Sequence, residues 1–332
     1  MRLSILDQSP VTAGMTPAEA LSNTLDLAQR AEALGYHRYW VSEHHNDHAF
    51  AHASPEILIP RIASVTSTIR VGSGGVLLSH YSPYKVAEQF NLLQTLFPGR
   101  IDLGIGRSGG GEGQSTAALR SSGPGGLSHW DRVDQLLAWT GPGRPKDRQY
   151  PDVHARPLVD SEPDYWILGT SPASAKFAAD RGLPYAFGGF LDARKLVESF
   201  TTYHQHFRPS RHLDAPRTNL TWFALAAETE ERAFELARCA EVWFVRTFVR
   251  GGVSAFPTNE EAAAEPFAPM EQALLQMRRQ AVSVGTGAQV VASLRQLKKQ
   301  LMIDELSLVT LTAEHSDRVR SYELISEALL TD

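Results

Sequence analysis

A strand-then-helix grammar repeats along the whole chain, and it constrains the fold more than any single motif. Residues 3–6 form a short apolar run ended by Asp7-Gln8-Ser9-Pro10, which reads as a buried strand and then a loop. Thr16-Pro17-Ala18-Glu19 follows, with an N-cap threonine, proline at the first helical position and glutamate at the third. Leu21, Leu25, Ala28, Ala31 and Leu34 then recur at helical spacing, and Gly35 stands where a C-terminal cap belongs. Further strands are read at 38–41, 70–78, 101–106, 165–168, 184–187, 220–227 and 306–311. Helices are read at 54–66, 82–97, 172–181, 193–207, 230–249 and 288–301, with a last one through Tyr322 and Leu329.

Eight alternations predict an α/β protein with a parallel sheet, and eight strands close a (β/α)8 TIM barrel of typically ~250 residues. An open doubly wound sheet is the competitor, because alternation alone does not show closure. The excess length falls after strand four, at 109–163, and after the seventh strand's helix, at 251–287. The first carries an amphipathic helix near 127–139, and the second a helix around 270–280. Such insertions are usually lids or binding loops rather than new domains, so residues 1–332 are read as one domain.

Composition narrows the function. Lys and Arg total 32 against 37 Asp and Glu, a formal net charge of −5, which argues against a nucleic-acid binder. The single cysteine, Cys239, excludes an intramolecular disulfide framework and a multi-cysteine zinc site, and it fits a reducing compartment. No 18-residue apolar run is present, and the acid at Asp7 comes too early for a signal-peptide core. The expectation is a cytoplasmic protein without a membrane partner.

In a barrel, chemistry sits at the carboxyl ends of the strands. After strand two comes Ser42-Glu43-His44-His45-Asn46-Asp47-His48, and four histidines (His44, His45, His48 and His52) fall within nine residues. Histidine suits proton transfer near neutral pH. Metal binding and a purely hydrogen-bonded loop cluster are the other readings. Adjacent residues on a strand face opposite ways, so His44 and His45 are poorly placed to share one ion. Within strand three, Gly72-Ser73-Gly74-Gly75 signals either a bulge and close ligand approach or crowding inside the barrel.

After strand four, Gly104-Ile105-Gly106-Arg107-Ser108-Gly109 matches Gly-x-Gly-x-x-Gly. A dinucleotide fingerprint needs a helix opening on its third glycine and an acid about 20 positions later. The glycine-rich run 109–113 and the acid-free stretch 121–128 reject that reading. Arg107 is a fixed cation at a strand end, suited to phosphate or carboxylate, or to a surface salt bridge. After strand five, Gly169-Thr170-Ser171-Pro172-Ala173-Ser174 opens a helix whose start serves either as a plain cap or as an anion site. Arg107 and this helix start together offer a two-sided phosphate grip.

Several stretches resemble the bacterial luciferase-like flavin-dependent monooxygenases, in the branch of single-subunit luciferase-like oxidoreductases. They are Trp40-Val41-Ser42-Glu43-His44-His45, Val71-Gly72-Ser73-Gly74-Gly75-Val76-Leu77-Leu78 and Phe97-Pro98-Gly99-Arg100-Ile101-Asp102-Leu103-Gly104-Ile105-Gly106-Arg107. Ala178-Ala179-Asp180-Arg181-Gly182-Leu183-Pro184 and the helix entry Val284-Gly285-Thr286-Gly287 continue the likeness, which runs from residue 3 to about residue 330.

The resemblance implies a barrel that binds FMN as FMNH2, supplied by a separate flavin reductase, and reacts with O2 through a flavin C4a-peroxide to oxygenate a small organic substrate. It places the phosphate between Arg107 and the loop of Thr170, Ser171 and Ser174. It sets the ring system over strand three, with a cis peptide at Gly74-Gly75. His44 takes the catalytic proton-transfer role, and Glu43 lies beside it in the flavin pocket. The 251–287 segment falls where luciferases carry a mobile lid, and the helix from Pro55 to Thr66 is apolar enough for a homodimer.

Gly106 stands where light-emitting relatives have a reactive cysteine, and Gly109-Gly110 replace bulkier flavin neighbours, which puts light emission and aldehyde specificity in doubt. Trp40, Tyr81, Phe187 and Phe190 are open to two readings, pocket wall or core. The competing functions are a deazaflavin-dependent oxidoreductase, a non-catalytic flavin-binding relative, and a metal-dependent barrel hydrolase built on His44, His45 and Asp47.

Overall fold

A computed structural model describes residues 1–107, 113–120, 126–141, 150, 152–252 and 254–330. The glycines Gly109 and Gly110, and parts of the 109–163 insertion, lie outside the described residues.

The first half runs β1 (Arg2–Asp7), α1 (Pro17–Ala33), β2 (Arg38–Val41), α2 (Pro55–Val65), β3 (Arg70–Leu77), a 3-10 turn (Leu78–His80), α3 (Pro83–Leu96) and β4 (Ile101–Gly106). Then come α4 (Gly113–Arg120), α5 (His129–Trp139), β5 (Asp164–Gly169), α6 (Pro172–Asp180), β6 (Tyr185–Gly188), α7 (Leu196–His206) and β7 (Thr218–Ala227). The rest is α8 (Glu230–Phe244), a π-turn (Val245–Val249), α9 (Asn259–Ala264), α10 (Pro269–Arg279), β8 (Ser283–Thr286), α11 (Gly287–Leu301), β9 (Glu305–Val309) and α12 (His315–Leu330).

Parallel pairing runs from β1 through β7, then from β7 to β9 and from β9 back to β1, so eight strands close a barrel. The doubly wound alternative is thereby excluded. A ninth strand was not expected from the sequence. β7 is ten residues long: residues up to Phe223 pair within the barrel, and Ala224–Ala227 run on to pair with β8 outside it. Residues 284–286 belong to this strand, and Thr286 also caps α11, which opens at Gly287 as the helix entry read from the sequence. α4 also follows the glycine run, where no helix was placed before residue 127.

Local chemistry accounts for the element ends. At α1 the Thr16 hydroxyl accepts the Glu19 N–H and the Glu19 carboxylate accepts the Thr16 N–H at 2.7 Å. Gly35 follows with φ +79°, a left-handed turn that glycine adopts without penalty.

Along β2, Arg38 and Trp40 alternate with Tyr39 and Val41, and the first pair enters the barrel. Trp40 meets Trp166 edge to face at 5.5 Å. Below them Arg38, wholly buried, binds Asp102 and Glu305, each at 2.7 Å, while Asp102 also takes Trp40 Nε1 at 2.8 Å. Burial works against the Arg38 charge, but Asp102, Glu305 and Asp164 outweigh it and hold the guanidinium protonated. This ionic plug fills the amino-terminal end of the barrel and leaves the opposite rim for chemistry.

Candidate functional site

Seen from the rim, the Ser42–His48 segment sends its first two histidines different ways. His45 Nε2 meets Glu43 Oε1 at 2.8 Å, while His44 Nδ1 meets Ser42 Oγ at 3.0 Å and its ring lies 4.6 Å from that of Phe50. Among the described residues, no three His, Cys, Asp or Glu side chains are grouped to hold a metal ion. Burial, with His52 and His45 nearby, pushes His44 down to about 3, so it is neutral at physiological pH. Glu43 is almost wholly enclosed. Its second oxygen accepts the Leu77 N–H at 3.0 Å, and its first also accepts the Tyr81 hydroxyl at 2.8 Å.

Along β3, the register against β4 slips between Ser73 and Val76, so β3 carries one extra residue at Gly74-Gly75. The peptide joining these two glycines is cis. A Cβ on Gly74 would stand 2.5 Å from Leu6 Cδ1, and one on Gly75 would stand 2.6 Å from the Gly104 carbonyl oxygen. The bulge and crowding inside the barrel are thus both present, and they require glycine whether or not a ligand approaches.

At the carboxyl end of β4, Arg107 is exposed and, among the described residues, has no ion-pair partner. Its charge reaches His129 at the start of α5. That imidazole is pushed down to about 4, first by burial and then by Arg107 and Arg132. His129 Nδ1 also stands 3.4 Å from Ser79 Oγ. The sequence reading passed over His129, the first residue of α5, inside the Ser128–Asp131 capping box.

The neighbouring strand, β5, pairs with β4 through Ile105 and Ile167, so the loop after β5 rises beside Arg107. Ser171 caps α6, accepting the Ser174 N–H. Ser174 is turned inward: its hydroxyl donates to the Ser171 carbonyl at 2.7 Å and lies 3.2 Å from the Tyr185 hydroxyl. The Thr170 hydroxyl has no hydrogen bond among the described residues, and both Thr170 and Ser171 are half-buried. Of the three loop residues expected at the phosphate, Thr170 and Ser171 are the accessible pair.

Across the mouth from this rim lies an apolar cavity of about 290 Å³. Gln8, His44 and Asp47 stand at its barrel side, and Phe50, Phe190, Phe223, Trp243, Phe244 and Phe248 make its aromatic wall. Of the four aromatics singled out in the sequence, only Phe190 lines it. Trp40 and Phe187 are core, and Tyr81 is tied to Glu43. Trp243 and Phe244, at the end of α8, and Phe248, in the π-turn that follows, were missed; at Phe248 the π-turn departs from the helical period that relates residues of one face.

The 251–287 segment supplies the outer wall through Leu275, Arg278 and Arg279. It is stitched to the body: Phe256 exchanges backbone hydrogen bonds with Val11 and Ala13. Arg246 pairs with Glu265 at 2.7 Å, and Arg250 pairs with Glu271 at 2.8 Å.

A family model described as luciferase-like monooxygenase matches residues 1–305. The chain belongs to the luciferase-like monooxygenase family. It is 35% identical over 334 residues to the N-acetyl-S-alkylcysteine monooxygenase of Bacillus subtilis (strain 168), covering 99% of this chain and 98% of that one. Among solved structures, apo-MsnO8 superposes with a TM-score of 0.88 at 37% identity, over 100% of this chain and 98% of that one. The fold is shared more distantly with the oxygenating constituent of 3,6-diketocamphane monooxygenase from Pseudomonas putida, solved with FMN. That comparison has a TM-score of 0.72 and 20% identity, over 99% of this chain and 97% of that one.

As a luciferase-like monooxygenase, the chain is an oxidoreductase of the oxygen-inserting kind, and its rim divides into a cationic side and an aromatic side. No described helix is long and apolar enough to cross a membrane.

Proposed function

We propose that this luciferase-like monooxygenase is flavin-dependent, taking reduced FMN from a separate reductase and inserting one oxygen atom of O2 into a small organic substrate. The observation that carries the reading is Arg107, exposed and without an ion-pair partner among the described residues, on the same rim as the accessible hydroxyls of Thr170 and Ser171 at the start of α6. A phosphate dianion matches that donor set, a guanidinium beside hydroxyls and the positive end of a helix. When bound, the reduced flavin would supply the electrons that activate O2.

The chain's own groups have separable duties in this reading. Arg107, Thr170 and Ser171 hold the phosphate. The bulged β3, with Gly74 and Gly75, leaves a backbone floor free of side chains beneath the ring system. Glu43 acts from behind that floor, holding the Leu77 N–H and the Tyr81 hydroxyl in place. His44, neutral and fixed through Nδ1 to Ser42, is the group that accepts and returns a proton at Nε2 on the cavity side. The wall from Phe50 to Phe248 excludes water from the cavity, and the 251–287 segment closes it from outside.

Anaerobic titration with FMNH2, and with riboflavin as control, tests the cofactor assignment. Arg107→Ala is expected to weaken FMN at least tenfold and to leave riboflavin nearly unchanged. Equal losses for the two ligands would remove the phosphate contact. No binding of either redox state of FMN by the wild type would sink the flavin reading and bring deazaflavin forward. Exposed Ile57 on α2 and Leu92 and Leu96 on α3 support a homodimer through these helices.

A further inference from the structure

We propose that the substrate of this monooxygenase carries a carboxylate on an apolar body, and that Arg278 receives the carboxylate while the aromatic cavity takes the body. The inference rests on the reading that this cavity is the substrate site of the enzyme.

Arg278 lies on the last turn of α10, in the cavity wall, half-buried, with its guanidinium carbon 3.7 Å above the centre of the Phe244 ring. The carboxylates whose fields reach it are both committed elsewhere. Glu241 is held by Arg279 at 2.7 Å, and Asp192 by Arg194 at 2.7 Å. Among the described residues, no side chain or carbonyl accepts a hydrogen bond from the Arg278 guanidinium. Burial pulls its proton affinity down, although Glu241 and Asp192 act in the opposite direction. A half-buried cation with free donors, seated on an aromatic face, is poorly solvated and poorly paired, and an entering anion relieves both deficits.

The rest of the lining sets what that anion is attached to. Apart from the Arg279–Glu241 pair, the charged group left in the wall is Asp47, beside His44 at the opposite, barrel side. Asp47 repels a carboxylate, and Arg278 attracts one, so the two ends of the cavity impose one orientation. The carboxylate lies outward at α10, and the apolar end, where oxygen is inserted, lies inward near His44. A neutral or cationic substrate would have no use for Arg278 in this arrangement.

Trp243 in the cavity wall gives a direct reporter. The purified wild-type protein, without flavin, is titrated with 4-phenylbutyrate and with its neutral amide while tryptophan fluorescence is followed. The acid is expected to bind at least tenfold tighter than the amide. Arg278→Met, which keeps length and removes charge, is expected to abolish that preference. Arg278→Lys should retain part of it. Unchanged melting temperature and unchanged FMNH2 affinity in Arg278→Met show that the variant is folded and that the cofactor reading stands.

Equal binding of acid and amide, no saturable binding of the acid, or a preference that survives Arg278→Met each overturns the proposal. So does a loss of FMNH2 affinity in Arg278→Met as large as in Arg107→Ala, which would give Arg278 to the cofactor. Failure of the wild type to bind FMNH2 would count against the flavin reading and leave the acid preference to be judged on its own.

Discussion

Glu43 Oε2 accepts the backbone N–H of Leu77 at 3.0 Å, and that bond fastens the segment after β2 to the last residue of β3. Oε1 of the same carboxylate takes the Tyr81 hydroxyl, so one buried side chain fixes the bulged strand and the turn that follows it. Replacing it by alanine strands a buried amide and a hydroxyl. Glu43→Ala is expected to cost about 2–6 kcal/mol, on the scale of one to three for each of the two orphaned groups. Urea unfolding measures the loss, and a loss below the error of the method would show that the clamp does not matter to the fold.

Gly75 and Gly106 separate crowding from tolerance on the same two strands. A Cβ at Gly75 would meet the Gly104 carbonyl oxygen at 2.6 Å, and backbone has nowhere to move. At Gly106 the nearest atom is Leu77 Cδ2 at 3.2 Å, the end of a flexible side chain. Gly75→Ala is therefore expected to lower the melting temperature sharply or to prevent folding. Gly106→Ala should stay within about 1 kcal/mol of the wild type. Comparable melting curves for the two variants would contradict the account of the bulge.

Arg38 is the hub of the ionic plug. Arg38→Met leaves Asp102 and Glu305 enclosed without their main cation, a loss of the kind that costs about 3–5 kcal/mol. Chemical denaturation of the variant tests the magnitude, and a near-neutral result would mean that water or rearranged Arg70 replaces the lost charge.

His44→Ala removes the proposed proton carrier without touching Arg107, Thr170 or Ser171. FMN affinity is expected to hold within about threefold, while turnover falls about 10²–10⁴-fold, the usual worth of a general acid or base. Unaltered turnover, once a substrate is in hand, would show that His44 has no part in proton transfer.

Acid stability follows from three imidazoles. Burial is the leading cause that pushes His37 and His129 down to about 4 and His44 to about 3. Each is neutral in the folded chain and takes up a proton more readily once unfolded, below about pH 6.5. Stability is thus full above that pH and falls as the pH drops from about 6.5 towards 4 and 3. Glu32, lowered to about 2 by three backbone N–H groups that outweigh its burial, adds a further loss between about 4.5 and 2. Melting temperatures from pH 7.5 to 4.5 should decline steadily, and a flat profile would mean that these groups are solvated in the folded state.

The sequence by itself determined what is decided within a few residues of chain. The Thr16–Glu19 box, the Gly35 turn and the Ser171 cap are local hydrogen-bonding and steric problems, and the residues that solve them are adjacent. The alternation that yields a barrel is legible for the same reason, and the order of the strands places Arg107 and Thr170 on one rim. Tertiary structure alone decided the remainder. Arg38 finds Glu305 across 267 positions, and Glu43 finds Leu77 across 34. The ninth strand exists because β7 outruns the barrel, and Arg278 joins His44 in one cavity although different elements carry them. Such pairings depend on closure of the sheet, which sets distances between residues that no local pattern relates.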